Sequence, residues 1–177
     1  AYALPKKEIA ENIYLQYATL TATPISPHSY LYEENVIDYG YDTVMAATLL
    51  KNAGWTDSDG NKVLEKETES GMTFLEVTIL VNAENDARVQ IGERLKEELT
   101  LLGFQVTLEA VPYDVFAERF EGGDYDLVIA GWKMPLSVNL ESFFATNGRY
   151  NYIGYADEQT DILLREAAAA NAEGFVL

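Results

Sequence analysis

The sequence contains no cysteine and a single histidine, His28, in 177 residues. The first absence excludes disulfides, thiolate zinc sites and cysteine nucleophiles. The second leaves His28 without a histidine partner for a metal site or a proton relay. Positive charge is also scarce, with 12 Lys and Arg against 29 Asp and Glu and a formal net charge of −17. A nucleic-acid partner demands a Lys/Arg footprint, and an anionic membrane surface would repel this chain, so neither is expected. No apolar run approaches the ~20 residues of a membrane span. Ala1-Tyr2-Ala3-Leu4-Pro5-Lys6-Lys7-Glu8 lacks a basic flank followed by an apolar core and does not read as a signal peptide. There is no GxSxG, HExxH or phosphate-cradling glycine loop.

What remains is an acidic chain with 48% hydrophobic and 23% charged residues, a globular composition of one-domain length. Lys6 to about Tyr14 reads as a helix, with Ile9 and Ile13 on one face. From Leu20 to Tyr39 periodicity vanishes, and Thr23-Pro24-Ile25-Ser26-Pro27 reads as extended. Asp42 reads as the N-cap of a helix from Thr43 to about Ala53, stopped at Gly54. Asp57-Ser58-Asp59-Gly60-Asn61 is turn chemistry.

Three strands separated by two helices then follow. The expected strands are Thr73–Val81, Phe104–Val111 and Tyr125–Gly131, and the helices run from about Asp86 to Leu102 and from Val115 to Glu121. Such a βαβαβ order implies right-handed crossovers and a parallel sheet. Leu127 to Ala130 is apolar on both faces, which places this strand in the sheet interior. Asp157 caps a final helix that runs into the alanines 167–170.

The chemistry-bearing residues divide between binding and structure. Trp132, delivered at the C-terminal end of the third strand, sits where open α/β sheets bind ligands. Its indole offers a flat apolar face and one donor; packing is the competing reading. Lys133 and Met134 continue the same loop, and Asn139 lies further along it. The tyrosines between Tyr150 and Tyr155 can stack a ligand or pack onto the fold. Asp124 and Asp126 can be a hydrolase-like carboxylate pair, but read better as turn and strand-start residues. Asp57, Asp59, Asn61 and Glu65 invite a calcium reading. Counted from Asp57, however, the sixth position is Lys62 rather than Gly and the twelfth is Thr68 rather than Glu, so no metal site is expected.

The ordered landmarks resemble the family 5 extracellular solute-binding proteins, the oligopeptide and dipeptide receptors of ABC importers. They are Ala1-Tyr2-Ala3-Leu4 with Lys6-Lys7-Glu8-Ile9, Thr23 to Pro27, Tyr41-Asp42 with Ala46 and Leu49-Leu50, Ala53-Gly54-Trp55, and Asp57 to Asn61. Val89-Gln90-Ile91, Gly103-Phe104-Gln105-Val106, Tyr125-Asp126 with Gly131-Trp132, Asn151-Tyr152 with Gly154-Tyr155, and Asp161 with Leu163-Leu164 complete the series.

The resemblance implies a type II periplasmic-binding-protein-like α/β lobe, with a mostly parallel central sheet flanked by helices on both faces. It implies that residues 1–177 form a single lobe, the C-terminal one of two, incomplete at both ends. The expected function is non-enzymatic capture of a small peptide by hinge closure and delivery to an ABC permease. An oligosaccharide or other small-solute receptor is the alternative, and an acidic hydrolase domain a more distant one. The expected setting is extracellular, as a cell-surface lipoprotein or periplasmic protein. The expected partners are the N-terminal lobe, the permease and a small solute, with no cofactor and a monomeric state. Ligand contacts are expected at Trp132, Lys133, Met134 and Asn139. In peptide-binding relatives, an aspartate three residues after the tryptophan is expected to pair with the ligand's α-amino group. Pro135 stands there in this chain, and Asn139 replaces a loop aspartate.

Overall fold

The computed structural model describes residues 1–133 and 140–174, the last four through their backbone alone. Contacts divide the chain into two compact units, Ala1–Ala117 with Tyr125–Ala130, and Glu118–Asp124 with Gly131–Leu177. No helix among the described residues is long and apolar enough to cross a membrane.

The first unit opens with helix α1 (Lys6–Asn12) and a long segment without regular structure, followed by α2 (Thr43–Asn52). The capping chemistry read from the sequence is present. The Asp42 carboxylate accepts from the Met45 amide at 2.8 Å, and Gly54 stops the helix with φ of +89°. The long segment is tied back locally. Lys6 pairs with Asp38, the Asp42 amide donates to the Tyr2 carbonyl, and Tyr2 meets Tyr39 edge-on at 5.4 Å.

Two strands, β1 (Glu65–Thr68) and β2 (Gly71–Phe74), form an antiparallel hairpin of their own. The sequence reading of Thr73–Val81 as one strand is corrected here. Thr73 and Phe74 belong to the hairpin, and the sheet strand β3 begins at Glu76 (Glu76–Asn82). Leu75 separates them: its amide donates to Leu64, while its carbonyl accepts from Gln105. The charged β1, Glu-Lys-Glu-Thr, lacks the β-branched and aromatic enrichment that marks strands in a sequence.

Helix α3 (Asp86–Leu101), strand β4 (Gln105–Val111), helix α4 (Tyr113–Gly122) and strand β5 (Leu127–Ile129) complete the βαβαβ order. The sheet is parallel, with order β4-β3-β5. Its interior strand is therefore β3, not the Tyr125–Gly131 segment that the apolar run suggested. Among the described residues β5 has β3 as its single strand neighbour, and Leu127 and Ala130 are exposed. Strand β5 starts late because the Asp126 carboxylate accepts from the Thr78 amide at 2.7 Å. In β3, by contrast, Ile79, Leu80 and Val81 have no accessible surface. Helix α3 packs on all three strands, with Leu95 and Leu99 against Ile79, Val77, Val106 and Leu108.

Two local features hold α3 in place. At its C-terminus Gly103 adopts φ of +91°, and its carbonyl accepts from the Leu64 amide at 2.8 Å. A Cβ there would lie 2.6 Å from the Leu64 branch carbon. On its outer side, Glu98 is buried at 3% exposure, ion-paired to Arg94 and accepting from the Tyr41 hydroxyl at 2.7 Å. Arg94 also grips Glu8 of α1 through two nitrogens, which holds the Glu8 carboxyl below its usual range. That contribution is complete above the ordinary carboxylate pKa and is lost as the pH falls through the lowered value.

Two outcomes are expected in urea unfolding. Gly103→Ala combines left-handed strain with a steric clash and should cost about 2–3 kcal/mol. Arg94→Ala leaves a buried carboxylate without its cation and should cost about 3 kcal/mol, whereas Arg94→Leu combined with Glu98→Leu should recover much of that loss. Equal losses in the single and double variants would show that the ion pair itself, rather than the stranded charge, sets the energy.

Candidate functional site

The second unit is built around aromatic rings. Trp132, three residues beyond the end of β5, is surrounded by Phe143 at 5.2 Å, Tyr150 at 5.3 Å, and Phe120 and Tyr152 at 5.9 Å between ring centroids. Tyr152 lies nearly parallel to the indole, at 23°, while Phe143 meets it edge-on at 74°. These geometries favour the ring quadrupoles and hold the indole in one orientation. Trp132 nonetheless keeps 44% of its surface accessible. Packing and an open face thus occur in the same side chain.

The rings are positioned by a short framework. Helix α5 (Glu141–Phe144) carries Phe143, and α6 (Glu158–Gly174) packs against it. The turn between α5 and Tyr150 requires Gly148, since a Cβ there would meet three backbone carbonyls at 2.8–3.0 Å. Asn151 clamps the tyrosine segment: its amide nitrogen donates to the Ala145 and Tyr155 carbonyls, and its oxygen accepts from the Tyr155 amide. Asp157 caps α6 by accepting from the Thr160 amide and hydroxyl, both at 2.7 Å. Asp161 reaches back to the Thr146 amide at 2.8 Å. These bonds hold both carboxyls below their usual range. Their contribution is complete above the ordinary carboxylate pKa and is lost as the pH falls through the lowered values.

Of the other residues singled out in the sequence, Lys133 is exposed beside Trp132. Met134 and Asn139, with Pro135, lie outside the described residues. The tyrosine segment contributes Tyr150 and Tyr152 to the ring cluster. Phe120 and Phe143 join it without having been singled out. Their signal was faint: an aromatic at the end of one short helix and another inside a Phe-Phe pair.

The acidic residues with hydrolase-like spacing have structural partners. Asp126 accepts from the neighbouring strand's Thr78 amide, and Asp124 accepts from Arg119 at 2.8 Å. In the first unit, a groove between α2 and α3 is lined by Tyr41, Val44, Lys51, Glu98 and Leu101. The acid on its floor, Glu98, is already bound by Arg94 and Tyr41. His28 is exposed on its loop.

The chain is similar to known proteins along most of its length. It is 25% identical over 172 residues to the oligopeptide-binding protein AppA of Bacillus subtilis, covering 93% of this chain and 31% of that protein. The solved structure of AppA in complex with a nonapeptide superimposes with a TM-score of 0.85 at 24% identity, over 94% of this chain and 34% of that one. NikZ from Campylobacter jejuni, solved in complex with Ni(L-His), gives a TM-score of 0.79 at 28% identity, over 94% of this chain and 34% of that one. This chain therefore spans about a third of the length of these relatives. They establish the type II periplasmic-binding-protein-like α/β fold. Residues 1–151 match the family model described as bacterial extracellular solute-binding proteins, family 5 Middle, and the chain belongs to that family of receptors.

Proposed function

We propose that this chain is part of one lobe of a two-lobed solute receptor that captures oligopeptides or dipeptides for an ABC importer. The family match supports receptor work, and the names of the relatives favour a peptide. The observation that carries the site is Trp132, an indole fixed by four rings yet 44% accessible. A rigid aromatic face of this kind gives contact area with little further loss of side-chain entropy on binding. Lys133, exposed next to it, supplies a cation for a ligand carboxylate. Met134 and Asn139 are proposed as further contacts from their places in the sequence.

The mechanism is capture without covalent chemistry. A receptor cleft buries most of its ligand, and a single lobe presents only part of such a wall. Hinge closure of a second lobe completes the enclosure, and the closed form docks on a membrane permease. The role is proposed as non-enzymatic, a reading supported by the structural partners that hold Asp124, Asp126 and Glu98. The working form is proposed as an extracellular monomer, either a cell-surface lipoprotein or a periplasmic protein.

A second reading, a receptor for another small solute, draws on the Ni(L-His) complex of NikZ and on Pro135 standing where peptide receptors are expected to carry an aspartate.

The test is Trp132→Ala in the full-length, two-lobed protein. Calorimetry with a peptide mixture should show affinity falling roughly 10–100-fold, while Tm falls by less than about 5 °C. A large fall in Tm with unchanged affinity would assign Trp132 to packing alone. Binding of oligosaccharide or metal–histidine complexes in place of peptides would select the second reading.

A further inference from the structure

We propose that Asp57, Asp59 and Glu65 hold a divalent cation, with calcium as the ion of best fit, at the junction of the 57–62 turn and the β1–β2 hairpin. One carboxylate oxygen from each of the three residues lies within 4.8 Å of the other two. Exposed acidic groups often cluster with no consequence, and Asp57 and Asp59 are exposed. Glu65 is not: it is 4% accessible. Its Oε1 accepts from the Ser58 amide at 2.6 Å and from the Ser58 hydroxyl, while its Oε2 is buried without a partner. A buried carboxylate oxygen with no donor is costly. A cation shared with the two aspartates removes that cost and the mutual repulsion of the three charges together.

The objections raised from the sequence lose their force in the structure. Lys62 stands where calcium loops carry glycine, a position that demands a left-handed backbone. Lys62 adopts that backbone, with φ of 72°. Its amide and that of Gly60 donate to the two oxygens of Asp57, and Asn61 donates to both oxygens of Asp59, so the aspartates are oriented before any ion arrives. The missing glutamate at the twelfth position is replaced by Glu65, three residues earlier, which the antiparallel bridge between Thr56 and Glu65 returns to the turn.

The spread of the ligand atoms accommodates calcium. Oxygens on opposite sides of calcium, at roughly 2.3–2.6 Å from it, stand up to about 5 Å apart, while around magnesium the limit is about 4.2 Å. Oxygens that all lie within 4.8 Å of one another can therefore share one calcium ion. With three carboxylates in a partly exposed turn, the expected Kd is on the order of 10⁻⁴–10⁻³ M.

Differential scanning calorimetry in about 10 mM calcium chloride should raise Tm by roughly 3–10 °C, and equal magnesium should raise it less. The rise should vanish in Asp57→Asn with Asp59→Asn and, separately, in Glu65→Gln. It should persist in Glu67→Gln with Glu69→Gln, which removes exposed charge outside the cluster. Should the aspartate variant fail to fold, terbium luminescence excited through Trp55, two residues before Asp57, decides on the unmodified protein. Emission from a single ion per chain, displaced by calcium more readily than by magnesium, supports the site. Three results overturn it: no sensitised emission, no calcium-dependent Tm shift, or the same shift in the original and the Glu65→Gln proteins. The acidic turn would then be a solvated surface.

Discussion

Ile79, Leu80 and Val81 are consecutive, and none has any surface open to water. Successive residues of a strand point to opposite faces, so this single stretch requires cover on both sides of the sheet and a neighbour on each edge. Strands β4 and β5 supply the edges, and α3 lies across one face. The fit is close enough that α3 carries a glycine where it crosses the sheet: a Cβ on Gly92 would come within 2.7 Å of the Leu108 side chain. The hairpin and α1 are then attached to α3 by particular bonds, Leu64 to Gly103 and Glu8 to Arg94.

The second unit is organised by a different force. Its described core is a group of rings, and much of its backbone is held by side chains, Asn151, Asp157 and Asp161, rather than by strand pairing. Such a design fixes side-chain faces without enclosing them, and Trp132 is the result. For a receptor that grips ligands of varied sequence, a fixed apolar face is useful because it recognises shape and area rather than one hydrogen-bond pattern.

Much of this was legible in the residues. Asp42, Gly54 and Asp157 announced helix boundaries because each has a specific local chemistry, a carboxylate for free amides or a backbone without Cβ. The parallel βαβαβ order followed from alternating periods. The errors came where burial depends on partners distant in sequence. Leu127 to Ala130 looked interior because it is apolar, yet an apolar strand is interior only if another strand pairs with each of its edges, and β5 has one such neighbour among the described residues. The β1–β2 hairpin escaped notice because Glu65 to Thr68 is charged, and its pairing is imposed by the turn and by Leu64 and Leu75. The acidic turn reads in the sequence from residue types at fixed positions, and the geometry the proposed cation site draws on, Lys62 in a left-handed backbone and Glu65 returning across a bridge, lies outside such a rule. Trp132 stands out from its place after a strand, whereas the rings around it, Phe120, Phe143, Tyr150 and Tyr152, are brought to it by the turns between them, which local rules do not fix.

The proposed capture requires a second lobe closing on the surface these residues provide. Calorimetry of this chain alone, set beside the full-length protein and using the same peptides, tests it most directly. Tight binding by the full-length protein and no measurable heat with the chain alone are expected, because half a set of contacts does not offset the freedom the ligand loses. Micromolar affinity in the chain alone would contradict this expectation and would place a complete site within these residues.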